Sequence, residues 1–277
     1  MMRFLARIRH ESVVTRRAPI GYRDLSVSFD RRREGGGIMN IYRINTIEEL
    51  IKENPYVGRG IIIGRTCDGS KATLAYFIMG RSANSRNRIF SEKEGEVFTE
   101  PFDVTKVEDP SLIIYRAIRS FKGSVIVTNG DQTDTIYDGL AQGKSFSEAL
   151  ASRTFEPDRP NFTPRISGIL YLEEGEFHYD MSILKSADEE GSACNRYTFS
   201  YTALSGLGHF LHTYLCDGTP IPTFTGEPER VKIPDSIDDF TKELWESLDE
   251  NNKISLYVRY VDLKDGSAEN RLINKNV

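Results

Sequence analysis

The segment GIIIGRTCDGSKATLAYFIM, residues 60–79, contains two apolar runs separated by a polar turn. Residues 60–64 and 72–79 each predict a buried strand, because short apolar runs bounded by turn signals are typical of strands covered on both faces. Asp68-Gly69 between the runs is a strong hairpin signal, since glycine readily adopts the positive φ of a tight turn. The segment therefore predicts an antiparallel pair of buried strands.

Similar patterns recur along the chain. Strands are predicted at residues 112–118, 124–128, 166–172, 177–183, 196–203 and 254–261. Helices are predicted at residues 46–53, 145–151, 206–215 and 237–248, and Ser145 and Glu148 have the spacing of a capping box. Hairpins dominate and helices do not strictly alternate with strands, so the pattern favours an α+β fold with mainly antiparallel sheets over a doubly wound one.

Residues 1–38 differ from the rest of the chain in composition, with nine Arg, no Lys and four acidic residues. Their net charge is +5, so the remaining residues carry −10 within a whole-chain charge of −5. We expect this segment to be an extension that precedes the true start at Met39, or a disordered basic arm. Residues 39–277 contain no internal repeat or low-complexity linker and are predicted to form a single domain.

Composition argues against several classes of protein. No apolar run approaches the roughly 20 residues of a membrane-spanning helix, so no membrane span is predicted. An acidic body is a poor partner for nucleic acid, although a local arginine cluster can still bind one phosphate monoester. The cysteines Cys67, Cys194 and Cys216 lie far apart, which predicts neither a disulfide framework nor a zinc site and is typical of a reducing cytoplasm.

Residues 80–88, GRSANSRNR, place three arginines and two asparagines directly after an apolar strand. Arginine forks match the oxygens of a phosphate in pairs, and small polar residues let backbone N–H groups approach the same anion. The segment is therefore a candidate phosphate site. The alternative is a solvated loop without a ligand.

Two further polar segments are candidates for binding. Residues 128–135, TNGDQTDT, contain many amide and hydroxyl groups, which can form hydrogen bonds to a heterocycle and a ribose. The alternative is a structural turn, because Asn-Gly is a turn signal and the aspartates can cap a turn. Residues 155–166, FEPDRPNFTPRI, contain three prolines that stiffen the chain. Such a loop can hold Glu156 and Arg165 at a fixed separation, and the alternative is a rigid connector with surface charges.

Cys67 and the pair His209 and His212 are weaker candidates for chemistry. Cys67 lies in the predicted hairpin turn without an evident histidine partner, which argues against a catalytic nucleophile. His209 and His212 have i,i+3 spacing, which can hold a metal on a helix, but the sequence offers no third ligand. We therefore predict no metal site and a packed or solvated histidine pair.

Taken together, four parts of the chain resemble the archaeal-type IMP cyclohydrolases. They are residues 54–59 (NPYVGR), residues 80–88 ending in Asn87-Arg88, residues 127–134 (VTNGDQTD), and Glu156 ahead of residues 163–166 (TPRI). Their order and spacing agree with the family over residues 54–175. The chain departs from the family's pattern in an expanded 80–88 segment and a longer C-terminal region.

The resemblance implies a four-layered αββα sandwich of mainly antiparallel sheets, similar to the N-terminal nucleophile hydrolases, in a single catalytic domain over residues 39–277. It implies no self-processed nucleophile, and residues 56–58 offer no Ser, Thr or Cys. The activity implied is dehydrative ring closure of 5-formamidoimidazole-4-carboxamide ribotide to inosine monophosphate (IMP), in purine biosynthesis and without a cofactor. A cytoplasmic homo-oligomer that binds neither nucleic acid nor membranes is expected.

The resemblance and the chemistry of ring closure suggest roles for matching residues. Arg88, Tyr115 and Glu156 are expected to be catalytic, Arg88 through the phosphate or the formyl oxygen and the other two through proton transfer. The expected substrate-binding residues are Arg81, Arg86, Asn87, Asn129, Asp131, Thr163 and Arg165. Two alternatives stay open: an amide hydrolase of the same fold that uses Cys67, and a non-catalytic protein that binds purine ribotides.

Overall fold

The computed structural model describes residues 40–107 and 114–277. The predicted N-terminal extension, with the expected start at Met39, lies outside the described residues, as do the first two residues of the strand predicted at 112–118. Residues Tyr42–Val277 form one compact unit.

Strands make up most of the described fold. They are β1 (Arg59–Arg65), β2 (Lys71–Met79), β3 (Ile89–Lys93), β4 (Glu96–Glu100), β5 (Tyr115–Phe121), β6 (Ser124–Thr128), β7 (Arg165–Glu173), β8 (Glu176–Ser186), β9 (Cys194–Thr202), β10 (Leu207–His212), β11 (Glu229–Lys232), β12 (Lys253–Asp262) and β13 (Ala268–Asn274). The helices are α1 (Ile47–Ile51), α2 (Ala83–Arg86), α3 (Gln132–Ala141), α4 (Phe146–Leu150) and α5 (Ile237–Ser247), with a 3₁₀ turn at Val104–Lys106.

These strands form two antiparallel sheets. The first sheet has the order β11-β10-β1-β2-β12-β13, and the second has the order β3-β4-β5-β6-β7-β8-β9. The hairpin predicted within residues 60–79 is confirmed as β1 and β2, and the strands predicted at 166–172 and 177–183 are confirmed as the antiparallel pair β7 and β8. The α+β class with antiparallel sheets is therefore confirmed, in an arrangement compatible with a sandwich.

Apolar side chains fill the layer between the two sheets. Ile61 and Ile63 of β1 lie in one cluster with Val127 and Ile166 of the second sheet. Because side chains alternate across a strand, Arg59 at the start of β1 belongs to the same inner face. Full burial of a branched or aromatic side chain stabilises the fold by roughly 1.5–3 kcal/mol. Burying a charge instead costs free energy unless the charge is paired or hydrogen-bonded, so a charged group in this layer needs a compensating interaction.

Helices cover the outer face of each sheet. Ile47 of α1 and Phe240 of α5 pack in one cluster with Phe77 of the first sheet. Phe146 of α4 packs with Ile126 of the second sheet. Apolar side chains therefore pack against both faces of the strands, which fixes their positions.

Three predicted helices are confirmed. Residues 46–53 contain α1, in which Thr46 and Glu49 form a capping box. Residues 145–151 contain α4, with the box expected for Ser145 and Glu148. Residues 237–248 contain α5. Among the helices that the structure describes, none is long and apolar enough to cross a membrane.

The helix predicted at residues 206–215 is wrong, because this segment contains β10, which pairs with β1 and β11. Every residue of β10 is buried. A strand covered on both faces shows no polar–apolar alternation, so periodicity does not separate it from a short buried helix. His209 and His212 therefore point to opposite faces of a strand, which removes the metal-holding spacing that a helix would give them.

Candidate active site

Polar side chains from both sheets meet in the layer between them. The hydroxyl groups of Tyr76 on β2 and Tyr115 on β5 lie 3.0 Å apart, and both tyrosines are buried. Arg59 and Arg88 each act electrostatically on both tyrosines and on Glu156. We call these five residues the core polar cluster.

Arg88 enters the cluster because the residue before it is anchored. The side chain of Asn87 donates to the backbone oxygen of Asp103 at 2.8 Å and accepts from its N–H at 2.7 Å. Arg88 is only 7% exposed, and its Nε–H has no hydrogen-bond partner among the described residues. A buried unsatisfied donor costs about 1–3 kcal/mol, so this group is poised to bind an oxygen atom that the protein does not supply.

Arg59 and Arg88 are two buried cations in one cluster. Burial, followed by the positive charge of Arg59, lowers the pKa of Arg88. Burial acts on Arg59 in the same direction, but the surrounding tyrosines and Glu156 outweigh it and raise the pKa of Arg59. Since arginine keeps its charge in proteins, the pair creates a strongly positive environment that favours negative charge on a bound oxygen.

Glu156 is the carboxyl group of the cluster and lies in the loop between α4 and β7. Its backbone N–H donates to the Thr163 oxygen at 2.9 Å, and the Thr163 hydroxyl lies 2.6 Å from the Tyr214 hydroxyl. Burial raises the pKa of Glu156, although the charges of Arg59 and Arg165 oppose this shift. A raised pKa brings proton exchange on this carboxyl group closer to neutral pH, which suits acid–base catalysis.

The TNGDQTDT segment, residues 128–135, holds Arg165 in place. Asn129 donates to the Pro164 oxygen and accepts from the Ile166 N–H, both at 2.9 Å, which joins the segment to the start of β7. Gln132 is fully buried; it donates to the Asn129 side-chain oxygen at 3.0 Å and accepts from Arg165 Nη1 at 2.8 Å. These amide groups are engaged by the protein, and they hold the guanidinium group of Arg165 in place.

Asp131 joins Arg165 to a second arginine. Arg165 Nη1 donates to Asp131 Oδ1 at 2.8 Å, and Arg153 pairs with the same oxygen. Burial alone would raise the pKa of Asp131, but the hydrogen bonds and charges of the two arginines outweigh it and lower the pKa. Gly130 leaves room for this arrangement, because a Cβ there would lie 2.5 Å from Arg165 Nη1.

Arg81 and Arg86, both expected to bind substrate, are engaged by protein groups. Arg81 pairs with Asp217 and donates to the Gly218 oxygen. Arg86 donates to the Gly80 oxygen and to the Asn252 side-chain oxygen, each at 3.0 Å. These contacts hold the chain on either side of α2, whose N-cap is a Ser82 capping box.

Of the residues expected from the sequence, the structure places Arg88, Tyr115 and Glu156 in one cluster and Arg165 within electrostatic reach of Glu156. Sequence reasoning missed Arg59 and its contribution to the site. The signal was present, because Arg59 directly precedes the strand predicted to be buried at residues 60–64, a place where a charged side chain is unusual.

Cys67 lies far from the core polar cluster. Arg59 begins β1 and Cys67 follows its end, so at about 3.3 Å per residue the two are roughly 25 Å apart. The Cys67 thiol contacts the Ile233 oxygen at 3.1 Å. Within residues 40–107 and 114–277, no group of three or more His, Cys, Asp or Glu side chains is arranged to hold a metal.

Comparison with known proteins gives the family. The model of a family described as IMP cyclohydrolase-like protein matches residues 56–266. The chain belongs to this family. The range that matches this IMP cyclohydrolase-like family contains all five residues of the core polar cluster. It also contains Arg165 and its partners Asp131 and Gln132.

Curated relatives carry the name IMP cyclohydrolase. The protein of Methanopyrus kandleri is 36% identical over 116 residues, which are 40% of this chain and 57% of that protein. The protein of Methanothrix thermoacetophila is 33% identical over 42% of this chain and 57% of its own length. For Methanococcus aeolicus, the identity is 31% over 58% of this chain and 75% of the relative. The chain thus spans little more than half the length of the first two relatives.

Proposed function

We propose that the chain is an IMP cyclohydrolase, which closes the second purine ring by dehydrating 5-formamidoimidazole-4-carboxamide ribotide. The names of the relatives and the family match support this activity. The observation that carries it is the core polar cluster, in which two buried arginines interact electrostatically with a carboxyl group of raised pKa and with two hydrogen-bonded tyrosines.

For the fold, we propose the N-terminal nucleophile hydrolase-like αββα sandwich. Helices on the outer faces of two packed antiparallel sheets support it. We further propose a cytoplasmic homo-oligomer that binds neither nucleic acid nor membranes, which agrees with the acidic charge of residues 39–277. A single catalytic domain over these residues is part of the same proposal.

Ring closure joins two groups of one molecule. The carboxamide nitrogen attacks the formyl carbon, and the formyl oxygen leaves as water with one proton from the carboxamide nitrogen and one from the formamido nitrogen. Because both groups are attached to neighbouring ring atoms, the enzyme mainly selects the reactive rotamer and moves protons. The proposed reaction is redox-neutral and uses no cofactor.

Glu156 and Tyr115 handle the protons in this proposal. The Glu156 carboxylate accepts a proton from the carboxamide nitrogen as the C–N bond forms, which its raised pKa favours, and the resulting carboxylic acid returns that proton to the departing oxygen. Tyr115 donates a hydrogen bond to the formyl oxygen. The Tyr76 hydroxyl, 3.0 Å from that of Tyr115, fixes its orientation.

Arg88 and Arg59 stabilise the charge that develops on the formyl oxygen. The free Nε–H of Arg88 supplies a donor that no described protein group uses. The donor is already in place and desolvated, so it costs no reorganisation when the intermediate forms. Removing one donor of this kind typically lowers kcat by about 100–1000-fold.

The other expected site residues act around the cluster. Arg165 contacts the substrate, while Asn129 and Asp131 position its guanidinium group. Thr163 holds the loop that carries Glu156. Arg81, Arg86 and Asn87 hold the 80–88 segment through contacts with backbone oxygens, so that the phosphate is bound elsewhere.

An absorbance assay of ring closure with the formylated ribotide tests the proposed function. We expect turnover by the wild type and a loss of about 100–1000-fold in kcat for Arg88→Ala. Arg271→Ala is the control, because Arg271 pairs with Asp238 at the surface, where an ion pair contributes little. An unchanged rate in Arg88→Ala would remove Arg88 from the site.

The same assay separates the alternatives. A wild type that binds IMP without turning over the ribotide would favour a non-catalytic purine-ribotide-binding protein. Loss of activity both on alkylation with iodoacetamide and in Cys67→Ser would favour an amide hydrolase that uses Cys67 as its nucleophile. The separation of roughly 25 Å between Cys67 and Arg59 leads us to expect no such loss.

A further inference from the structure

A cavity of about 530 Å³ lies beside the loop that carries Glu156. Its volume is in the range of small-molecule sites, roughly 300–1000 Å³. Two guanidinium groups, those of Arg153 and Arg165, line it together with the aromatic rings of Phe155 and Phe162. The two rings meet edge to face with 5.3 Å between centroids, which gives the cavity a rigid apolar wall beside a cationic one.

The cavity adjoins the core polar cluster without being part of it. Phe155 and Pro157 line the cavity, whereas Glu156 between them interacts with Arg59. Arg165 belongs to both regions, since it lines the cavity and acts electrostatically on Glu156. A ligand in the cavity therefore lies within reach of the residue that connects it to the proposed catalytic carboxyl group.

Asp131 prepares the two arginines to bind an anion. It accepts from both guanidinium groups through one oxygen, and half of its own side chain remains exposed. Arg153 and Arg165 are 24% and 11% exposed. A guanidinium group has five N–H donors, and the contacts with Asp131 and Gln132 use one nitrogen of each arginine, so spare donors remain at the cavity wall.

We propose that this cavity binds the phosphomonoester of a nucleotide through Arg153 and Arg165. Planar arginine forks suit phosphate oxygens, and Asp131 holds both forks in a fixed orientation before the ligand arrives. The inference rests on the proposed function for the identity of the nucleotide. The phosphate comes from the ribotide substrate itself or from a second nucleotide molecule, which share this chemistry.

Binding of IMP and of inosine to the full chain, measured by calorimetry, tests the site without relying on turnover. In Arg153→Gln we expect IMP to bind about 10–100-fold more weakly and the affinity for inosine, which lacks the phosphate, to stay the same. Arg153→Lys, which keeps the charge and loses the fork, should fall between the wild type and Arg153→Gln. Circular dichroism checks that each variant is folded.

Arg159→Gln is the matched control. Arg159 lies in the same loop and donates to the Glu190 oxygen at 2.7 Å, and it is not among the residues that line the cavity. We expect it to leave the ratio of IMP to inosine affinity unchanged. Equal weakening of IMP and inosine in Arg153→Gln, or no weakening of IMP in folded Arg153→Gln and Arg153→Lys, would overturn the proposal.

Two further readouts identify the source of the phosphate. The site binds the substrate's own phosphate if two results are found together. One IMP binds per chain, and Arg153→Gln lowers kcat/KM for the ribotide but not for the corresponding riboside. Two IMP per chain, one of them lost in Arg153→Gln with ribotide kcat/KM unchanged, assigns the site to a second nucleotide. Either result supports the phosphomonoester site. Absence of ring closure by the wild type would contradict the proposed function and leave the binding result intact.

Discussion

Arg81 and Arg86 of the 80–88 segment differ from Arg59 and Arg88 of the core polar cluster in what surrounds their side chains. Arg81 and Arg86 each donate to a backbone oxygen of the protein. Arg59 and Arg88 are buried, at 9% and 7% exposure, and Arg88 keeps an Nε–H without a described partner. Closeness in sequence therefore does not decide the environment of an arginine: Arg86 and Arg88 lie in one segment, and of the two Arg88 alone is buried with an Nε–H that has no described partner.

The largest difference in activity should appear when Arg59 and Arg81 are each replaced by methionine. We expect Arg59→Met to lower kcat/KM for ring closure by about 100–1000-fold, because the developing negative charge loses one of its two buried cations. Arg81→Met should lower it by less than about threefold, since Arg81 acts through a partly exposed ion pair. Equal effects of the two substitutions in steady-state assays would break the comparison.

A smaller loss of activity should follow from removing a hydrogen-bond partner of Arg165 than from removing an arginine of the core polar cluster. Gln132→Met deprives Arg165 of a buried acceptor and Asn129 of its donor, so we expect a loss of about tenfold in kcat/KM and of about 1–3 kcal/mol in the free energy of unfolding. Asn252→Ala, which removes the partner of Arg86, should change neither by much. Kinetics and denaturant titrations of both variants measure the difference.

The pH profile should report the environment of Glu156. Because burial raises its pKa and the carboxylate form accepts the proton, kcat/KM should rise with pH along an acidic limb above the ordinary range of a glutamate. Arg59→Met removes a charge that lowers this pKa, so the limb should move to still higher pH. An acidic limb at the same pH in Arg59→Met as in the wild type would contradict the electrostatic interaction between Arg59 and Glu156.

The smallest expected effect is a change in thermal stability, measured as the Tm, when Glu156 is replaced. A carboxyl group whose pKa is raised by folding stabilises the protein below its unfolded pKa, and that contribution is lost as pH rises through the folded pKa. Glu156→Gln should therefore raise the Tm at pH 8, where the carboxyl group would otherwise be ionised, while removing activity. The same substitution at Glu48, an exposed residue of α1, should leave the Tm unchanged.

Local sequence signals predicted the elements with a clear period or turn. Residues 60–79 contained both apolar runs and the glycine turn, and they form β1 and β2. The capping box at Ser145 and Glu148 likewise marked the start of α4. The 206–215 segment failed because β10 is buried on both faces and has no alternation.

The site was only partly predictable for a different reason. The family pattern pointed to Arg88, Tyr115 and Glu156, but the partners of these residues come from distant parts of the chain. The hydrogen bond between Tyr76 and Tyr115 depends on how two sheets pack, which no local pattern contains. The acidic and amide groups of residues 128–135 suggested ligand contacts, whereas the start of α3 uses them to hold Arg165.

The pKa of Glu156 tests most directly whether Arg88 and Glu156 share one site. It can be measured by ¹³C NMR of the full chain labelled at glutamate, with Glu156→Gln to assign the resonance. The charge of Arg88 lowers this pKa, so we expect it to rise further in Arg88→Met and to stay unchanged in Arg81→Met. An unchanged pKa in Arg88→Met would contradict the shared site and the proposed mechanism.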